Sequence, residues 1–201
     1  MKNVLEFLEK TAPVCGDKTA FSDGVESLSF AELAQLSRAG GSALTAKGLK
    51  NEPVAVFMKK APKTIAAFFA VLYAGCYYVP LDASMPLYRL QMIFEQLSPR
   101  AVVCDEASRE LAERLSPEGS VISASELFAV EENAAALAAV RAKCIDTDPA
   151  YIVFTSGSTG VPKGVTGCHR ALIDYANALC PAIGADEESV FAMQVPLYVD
   201  A

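Results

Sequence analysis

Short apolar runs alternate along the chain with longer segments in which apolar residues recur every three or four positions. Short runs are typical of buried strands, and the longer spacing is typical of amphipathic helices. The runs predict strands at VAVFM (54–58), YYVPL (77–81), AVVCD (101–105), VIS (121–123), YIVF (151–154) and VFAMQ (190–194). Helical segments separate most of these runs, and this βαβα order predicts an α/β fold. We expect a mostly parallel, doubly wound sheet with helices on both faces.

Capping and stop signals predict where individual helices begin and end. Ser29 and Glu32 match a capping box, in which the serine hydroxyl and the glutamate each bind a free amide at the helix start. The helix that follows is predicted to end near Gly48. The next helix, KTIAAFFAVLYAG, is predicted to stop at Gly75, because glycine readily adopts the left-handed conformation of a helix cap. Pro80 lacks an amide hydrogen and therefore indicates an edge or an end for its strand.

The segment TSGSTGVPKG at 155–164 follows the apolar run YIVF, so it leaves the carboxyl end of a predicted strand. Doubly wound sheets bind their ligands beyond these ends. The glycines let the backbone approach an anion, the hydroxyl groups donate hydrogen bonds, and Lys163 adds a positive charge. The spacing differs from the Walker loop, since Gly164 and not a hydroxyl residue follows the lysine. Clusters of Gly, Ser and Thr are often solvated linkers, but the position after a strand favours phosphate binding.

Composition narrows the classes of partner. The chain has 201 residues and a net charge of −7, which argues against nucleic acid or an anionic membrane as the main partner. The longest apolar segment, from Ile65, is interrupted by Gly75 and Pro80 and falls short of a clean membrane span. Six cysteines without a CxxC pair and a single histidine argue against a zinc site, so no metal ligand is predicted. Free thiols indicate a reducing, cytoplasmic location.

In the form YIVFTSGSTGVPKGV, the loop resembles the signature phosphate loop of the adenylate-forming (AMP-binding) enzymes. This superfamily contains acyl-CoA synthetases, luciferases and the adenylation domains of nonribosomal peptide synthetases. SFAELAQLSRAGGSALTAKGL is similar to an early helix of the family, and AAFFAVLYAGCYYVPLDASMPLYRL is similar to a stretch most typical of its amino-acid-activating branch. Residues 1–201 are thereby identified as the N-terminal portion of an adenylation domain. Residues 1–147 would form a first lobe segment, and 148–201 the phosphate-loop strand and the start of the substrate pocket.

The resemblance implies a two-step reaction. A carboxylate attacks the α-phosphate of ATP, which gives an acyl-adenylate and pyrophosphate, and a phosphopantetheine thiol then takes the acyl group. Lysine, aligned donors and Mg²⁺ would neutralise charge on the departing pyrophosphate. By the same resemblance Lys163 is the catalytic candidate. The residues expected to hold the ATP phosphates are Thr155, Ser156, Gly157, Ser158, Thr159, Gly160 and Lys163.

The last residues, VPLYVDA at 195–201, resemble a stretch in which an aspartate of amino-acid-activating members faces the α-ammonium group of the substrate. Asp200 occupies that place, and a carboxylate paired with an ammonium group is a physically sound recognition element. The alternative is an ordinary turn aspartate at a strand end. Structural roles are predicted for three other polar residues: His169 at a helix start, Asp82 in a cap or turn, and Arg89 in an ion pair.

Members of the family are several hundred residues long, so the chain is expected to be a fragment of a larger enzyme. It would lack the later acidic Mg²⁺ ligand, the ribose-binding aspartate and the C-terminal lysine, and alone it would have little or no turnover. The expected partners are an amino acid and a carrier protein or downstream synthetase domains, and an unpaired sheet edge would favour self-association. Two alternatives stay open: an acyl-CoA synthetase-type ligase, and a non-catalytic N-terminal lobe that acts as a binding or interaction module.

Overall fold

The computed structural model describes residues 1–156 and 160–199, with only the backbone of Ser156. Within these residues the strands are β1 (Thr19–Ser22), β2 (Ser27–Ser29), β3 (Pro53–Phe57), β4 (Tyr77–Leu81), β5 (Ala101–Cys104), β6 (Ser120–Ser123), β7 (Pro149–Ser156) and β8 (Pro162–Cys168). The helices are α1 (Leu5–Thr11), α2 (Phe30–Ala46), α3 (Pro62–Tyr73), α4 (Leu87–Leu97), α5 (Arg109–Leu115), α6 (Ala124–Phe128), α7 (Ala134–Arg141) and α8 (His169–Ala182), with a short 3₁₀ helix (Glu106–Ser108) before α5. None of the helices in this described part is both long and apolar enough to cross a membrane.

Six strands form one sheet in the order β6-β5-β3-β4-β7-β8. The strands from β6 to β7 run parallel, and β8 turns back to pair antiparallel with β7. β1 and β2 form a separate antiparallel pair. The mostly parallel, doubly wound sheet that the sequence predicts is therefore confirmed. The β1–β2 pair and the antiparallel direction of β8 were not predicted.

Helices cover both faces of the sheet because alternate residues of a strand point to opposite sides. Val54 and Val56 of β3 belong to the core that α2, α3 and α6 close. Ala55 and Phe57 of the same strand belong to the core under α4 and α5. All of these side chains are 0% exposed, which explains why β3 appears in the sequence as a continuous apolar run and not as an alternating one.

The predicted helix ends are confirmed in atomic detail. The Glu32 amide donates to the Ser29 hydroxyl over 3.2 Å, and the Ser29 amide donates to the Glu32 carboxylate over 2.8 Å. These reciprocal bonds begin α2. α3 ends at Tyr73, and Gly75 follows with a φ of +68°, as its predicted cap position requires. β4 is an interior strand of the sheet, so Pro80 marks the end of a strand and not an edge.

The predicted strand at 190–194 is wrong. This stretch has no regular secondary structure, and Val190 and Phe191 are 92% and 67% exposed. An apolar run becomes a strand only where a neighbouring strand pairs with its amide and carbonyl groups. Here the carbonyl of Met193, near the end of the run, accepts a hydrogen bond from the Lys60 ammonium group instead.

Candidate functional site

The β7–β8 hairpin carries the segment 155–164, which the sequence predicts to bind phosphate. Thr155 pairs with Lys163, and the residues on either side of this pair are paired as well. The ends of the segment are therefore strand, which corrects the expectation of a loop over its whole length. Strand pairing brings the two ends of the segment together on either side of its middle part. Gly160 lies in that middle part with a φ of +78°, a conformation that favours glycine.

Thr155 and Lys163 lie opposite each other at the carboxyl end of β7. The Thr155 hydroxyl donates to the Lys163 carbonyl over 3.4 Å, and both residues are exposed. Among the described residues no carboxylate forms an ion pair with the Lys163 ammonium group. An exposed hydroxyl and an ammonium group without a carboxylate partner suit an anionic ligand.

Part of the predicted site lies outside the described residues. The positions concerned are Gly157, Ser158, Thr159 and Asp200, together with the side chain of Ser156. Of the predicted phosphate-binding set, the structure thus brings together Thr155, Gly160 and Lys163 on one hairpin. The roles of all these residues stay predictions.

A crevice lies at the carboxyl ends of β3 and β4, next to the hairpin in the sheet. The helix after β3, α3, covers one face, and the helix after β4, α4, covers the other. Such a change of face between neighbouring strands is where open α/β sheets bind ligands. Polar residues that line the crevice include Lys60, Thr64, Asp82 and Tyr198.

Segment 193–199 crosses this crevice and is held by Lys60. The Lys60 ammonium group donates to the Val195 carbonyl over 2.9 Å and to a second carbonyl two residues earlier. Leu197 packs against the core on the α3 face, and Tyr198 packs against the core on the α4 face. The segment therefore passes over the strand ends. Lys60 was not predicted, although its place two residues after an apolar strand run was a usable signal.

An apolar cleft with a volume of about 340 Å³ lies on the α3 face, beside the same segment. Phe68 and Tyr78 stack in its wall with ring centroids 4.3 Å apart, and the Tyr151 ring lies 6.0 Å from that of Tyr78. Val195 and Leu197 also line it. Aromatic walls of this kind suit an apolar or planar ligand group.

Two residues with predicted structural roles have them. The Ser84 amide donates to the Asp82 carboxylate over 2.7 Å, which closes a local turn. His169 is 3% exposed, and burial together with the positive charge of Arg141 lowers the pKa of its imidazole to about 4. A buried, neutral histidine at the start of α8 packs the fold together and does not face the crevice.

The predicted ion pair of Arg89 is wrong for the described residues. The guanidinium group donates instead to the Phe154 carbonyl over 2.8 Å. A main-chain acceptor cannot be recognised in a sequence, because every residue carries one. The contact ties α4 to β7 directly before Thr155.

The sequence matches the model of the AMP-binding enzyme family over residues 8–201. The chain belongs to this family. The D-alanine–D-alanyl carrier protein ligase of Listeria innocua is 30% identical over 202 residues, which cover 98% of this chain and 39% of the ligase. Tyrocidine synthase 1 of Brevibacillus parabrevis is 27% identical over 201 residues, which cover 100% of this chain and 18% of the synthase. The chain thus spans about two fifths or less of the length of these relatives.

Two solved structures share the fold of this chain. One chain from the solved structures of fatty acyl-adenylate ligases from E. coli and L. pneumophila gives a TM-score of 0.81 at 23% identity. The match covers 98% of this chain and 37% of the ligase chain. VinN in complex with 3-methylaspartate gives a TM-score of 0.78 at 23% identity, with 94% of this chain and 54% of that chain covered. The predicted adenylate-forming fold is therefore confirmed.

Proposed function

We propose that the chain is part of an adenylate-forming ligase that activates the carboxylate of an amino acid with ATP and passes the acyl group to a phosphopantetheine thiol. The observation that carries this proposal is the β7–β8 hairpin, which presents Thr155 and Lys163 at the carboxyl end of a parallel sheet. Membership of the AMP-binding enzyme family supplies the reaction class.

Lys163 would act in the adenylation step. A carboxylate oxygen forms a bond to the α-phosphorus of ATP, the bond from this phosphorus to its bridging oxygen breaks, and pyrophosphate leaves with the electron pair. The Lys163 ammonium group would stabilise the negative charge that builds up on pyrophosphate. In the second step the thiol sulfur attacks the acyl carbonyl carbon, and AMP leaves.

Hydroxyl and amide groups of segment 155–164 would donate hydrogen bonds to the β- and γ-phosphates. Thr155 supplies one hydroxyl at the base of the turn, and glycine at position 160 allows close approach of the backbone. The remaining proposed contacts are Ser156, Gly157, Ser158 and Thr159. Mg²⁺ accompanies ATP in the proposed reaction and would add charge neutralisation at the phosphates. Within residues 1–156 and 160–199, no cluster of three or more His, Cys, Asp or Glu side chains is present to hold it.

The names of the relatives favour an amino acid as substrate and a carrier protein as partner. One relative is a D-alanine–D-alanyl carrier protein ligase, and another is the nonribosomal peptide synthetase GRA1. Asp200 would bind the α-ammonium group of such a substrate. Segment 193–199, which Lys60 ties to the crevice, is continuous in sequence with this residue.

A second candidate is an acyl-CoA synthetase-type ligase, and the apolar cleft favours it. A cleft of about 340 Å³ with stacked Phe68 and Tyr78 in its wall offers a surface for an acyl chain or an aryl ring. In this alternative the first chemical step and the role of Lys163 are unchanged. Only the acid that enters the site differs.

Binding of phosphate by this chain gives the first test. We expect isothermal titration to detect binding of inorganic pyrophosphate and ATP, and Lys163→Met to weaken both by about tenfold or more, since a charge-assisted contact is lost. Lys143→Met is the matched control, because Lys143 is also an exposed lysine but lies outside the hairpin. Equal affinities of the wild type and the Lys163 variant would overturn the phosphate-binding role.

Pyrophosphate exchange by the enzyme that carries this segment gives the second test. Exchange that depends on an amino acid, and that Asp200→Asn reduces by raising the KM for that amino acid, supports the proposal. Exchange with fatty or aryl acids alone supports the acyl-CoA synthetase-type alternative. Binding of pyrophosphate without any exchange points to a non-catalytic lobe.

A further inference from the structure

The hydrogen-bonded ladder between β4 and β7 is short and does not extend to the end of β7, where segment 155–164 begins. In the described residues it has one registered pair, Tyr78 with Tyr151, although both strands continue beyond it. Pro80, two residues further along β4, has no amide hydrogen to offer to either neighbouring strand. On its β4 side, the last part of β7 therefore runs without a regular ladder such as the one that ties β3 to β4 over the full length of both strands, although β8 pairs with it on the other side.

Arg89 of α4 supplies a hydrogen bond at this place. Its Nη2 atom donates to the Phe154 carbonyl over 2.8 Å, and Phe154 is 7% exposed. Leu90, the next residue of α4, is 0% exposed and packs in the same core as Phe154. The arginine therefore lies on a helix that is packed into the core at the next residue. A hydrogen bond from a charged donor is stronger than one between neutral groups.

The position of this contact matters for the turn. Phe154 pairs across the hairpin with Gly164, and Thr155 pairs with Lys163. The proposed phosphate-binding residues thus begin one position after the carbonyl that Arg89 holds. A shift of β7 at Phe154 would move both ends of the turn together, because the two strands are paired.

We propose that Arg89 is a positioning residue for Thr155 and Lys163, the described ends of the proposed phosphate-binding segment. It supplies an anchor on the side where the β4 ladder is missing and holds the end of β7 that carries Thr155. The inference rests on the proposed function, since it gives Arg89 its purpose through Thr155 and Lys163. Arg89 acts through the Phe154 carbonyl and not by contact with phosphate.

The remaining donors of Arg89 agree with a constrained side chain. Its Nε atom is buried, and no acceptor for it is found in the described residues. A buried donor without a partner is unfavourable, so within the part of the chain that the structure describes, this side chain keeps its position with one unsatisfied group. A residue that served only to fill space would be an aliphatic one, without that penalty.

Two measurements on the chain test the proposal. Hydrogen exchange of the β8 amides without ligand is expected to rise about tenfold or more in Arg89→Met, while exchange in β3 and β5 stays unchanged, because only the end of β7 loses an anchor. Pyrophosphate titration is expected to show about tenfold weaker binding in the same variant. Arg89→Lys keeps one charged donor and should recover part of both effects.

Arg100→Met is the matched control. Arg100 is exposed and forms an ion pair with Glu52 over 3.2 Å. The two residues lie directly before β5 and β3, away from the hairpin, and loss of the pair should change neither measurement. Unchanged exchange in β8, or a rise that is uniform over the sheet, would overturn the proposal, since the arginine would then act on global stability alone.

The two proposals can fail separately. Wild-type chain that binds no pyrophosphate contradicts the proposed function, and the exchange data still decide whether Arg89 anchors the hairpin. Selective exchange in β8 with unchanged pyrophosphate affinity overturns the positioning role.

Discussion

At the scale of single residues, His169 shows how burial fixes a protonation state. The Asn3 amide nitrogen lies 3.3 Å from Nε2, and the Val4 amide lies 3.4 Å from Nδ1. The Asn3 side-chain oxygen accepts from the Leu5 amide over 3.0 Å, so its nitrogen must face the ring. Both ring nitrogens thus face donors. A neutral imidazole can accept from one of them, whereas a protonated imidazole has an N–H on each nitrogen and can accept from neither.

We predict that His169 makes the fold less stable as the pH is lowered below 6.5. Burial first, and the charge of Arg141 second, lower the pKa of His169 from 6.5 to about 4. Above pH 6.5 both folded and unfolded states are neutral at this position, so its contribution is constant. As the pH falls from 6.5 to about 4 the unfolded state binds the proton more readily, which removes about 3 kcal/mol of stability. Urea unfolding over this range is the measurement.

His169→Asn serves as the comparison for that experiment. The variant removes the titrating group, so its free energy of unfolding should fall less steeply over the same pH range, whatever its stability at neutral pH. Parallel profiles of wild type and variant would show that other groups cause the loss.

The residue scale also shows what a sequence can say about polar side chains. Local roles are predictable, because the Asp82 turn and the Ser29 cap use acceptors and donors within three positions. The contacts of Arg89 and Lys60 join carbonyl groups that lie 65 and 135 positions away. Such acceptors cannot be identified from the sequence, because the donor and the acceptor become neighbours only in the folded sheet.

At the scale of elements, α2 and α3 approach each other through glycine. A Cβ atom added to Gly40 would lie 2.7 Å from the Cβ of Ala70, and one added to Gly41 would lie 2.5 Å from the Cβ of Tyr73. A Cβ atom is bonded directly to the backbone, so neither Cβ atom of such a close pair can move away unless its helix moves. The pair of glycines therefore sets the distance between the two helices.

We predict that Gly41→Ala destabilises the fold by about 1–2 kcal/mol. Alanine favours a helix over glycine by about 1 kcal/mol, but overpacking of a tight contact costs about 1–3 kcal/mol and dominates where the contact is fixed on both sides. Urea unfolding measures the difference. Gln35→Ala is the control at an exposed position of the same helix and should change stability by less than about 0.5 kcal/mol. A more stable Gly41 variant would show that the helices can separate freely.

Elements were predicted where burial on both faces left a continuous apolar run, as in β3, or where caps defined the ends, as in α2. β1 was missed because its residues, TAFS, are mostly exposed and carry no apolar alternation. The apolar run at 190–194 led to a wrong strand prediction, because its apolar residues Val190, Phe191 and Met193 are exposed and not buried in a sheet. β7 was predicted from the run YIVF, but its extension to Ser156 and its antiparallel partner β8 were not, because the pairing of β7 with β8 depends on register.

At the scale of the whole molecule, exposed apolar side chains concentrate near one end of the chain. Val190, Phe191 and Met193 are 92%, 67% and 57% exposed, and we call them the C-terminal apolar patch. β8 is an edge strand of the sheet, and it starts with Pro162 and Lys163. Pro162 lacks an amide hydrogen, and Lys163 adds a positive charge. Residues of this kind oppose the addition of another strand.

We therefore predict that the chain self-associates through the C-terminal apolar patch and not through the β8 edge. Burial of exposed apolar surface stabilises association by roughly 25 cal/mol per Å², and the patch offers side chains that no described neighbour covers fully. Sedimentation velocity over a wide concentration range should show reversible oligomers in the wild type. Val190→Ser with Phe191→Ser should shift the distribution to monomer, whereas Val14→Ser with Val25→Ser, which changes residues 82% and 96% exposed elsewhere, should leave it unchanged. Association that survives the loss of the patch but disappears in Val165→Lys, on β8, would show that the sheet edge is the contact.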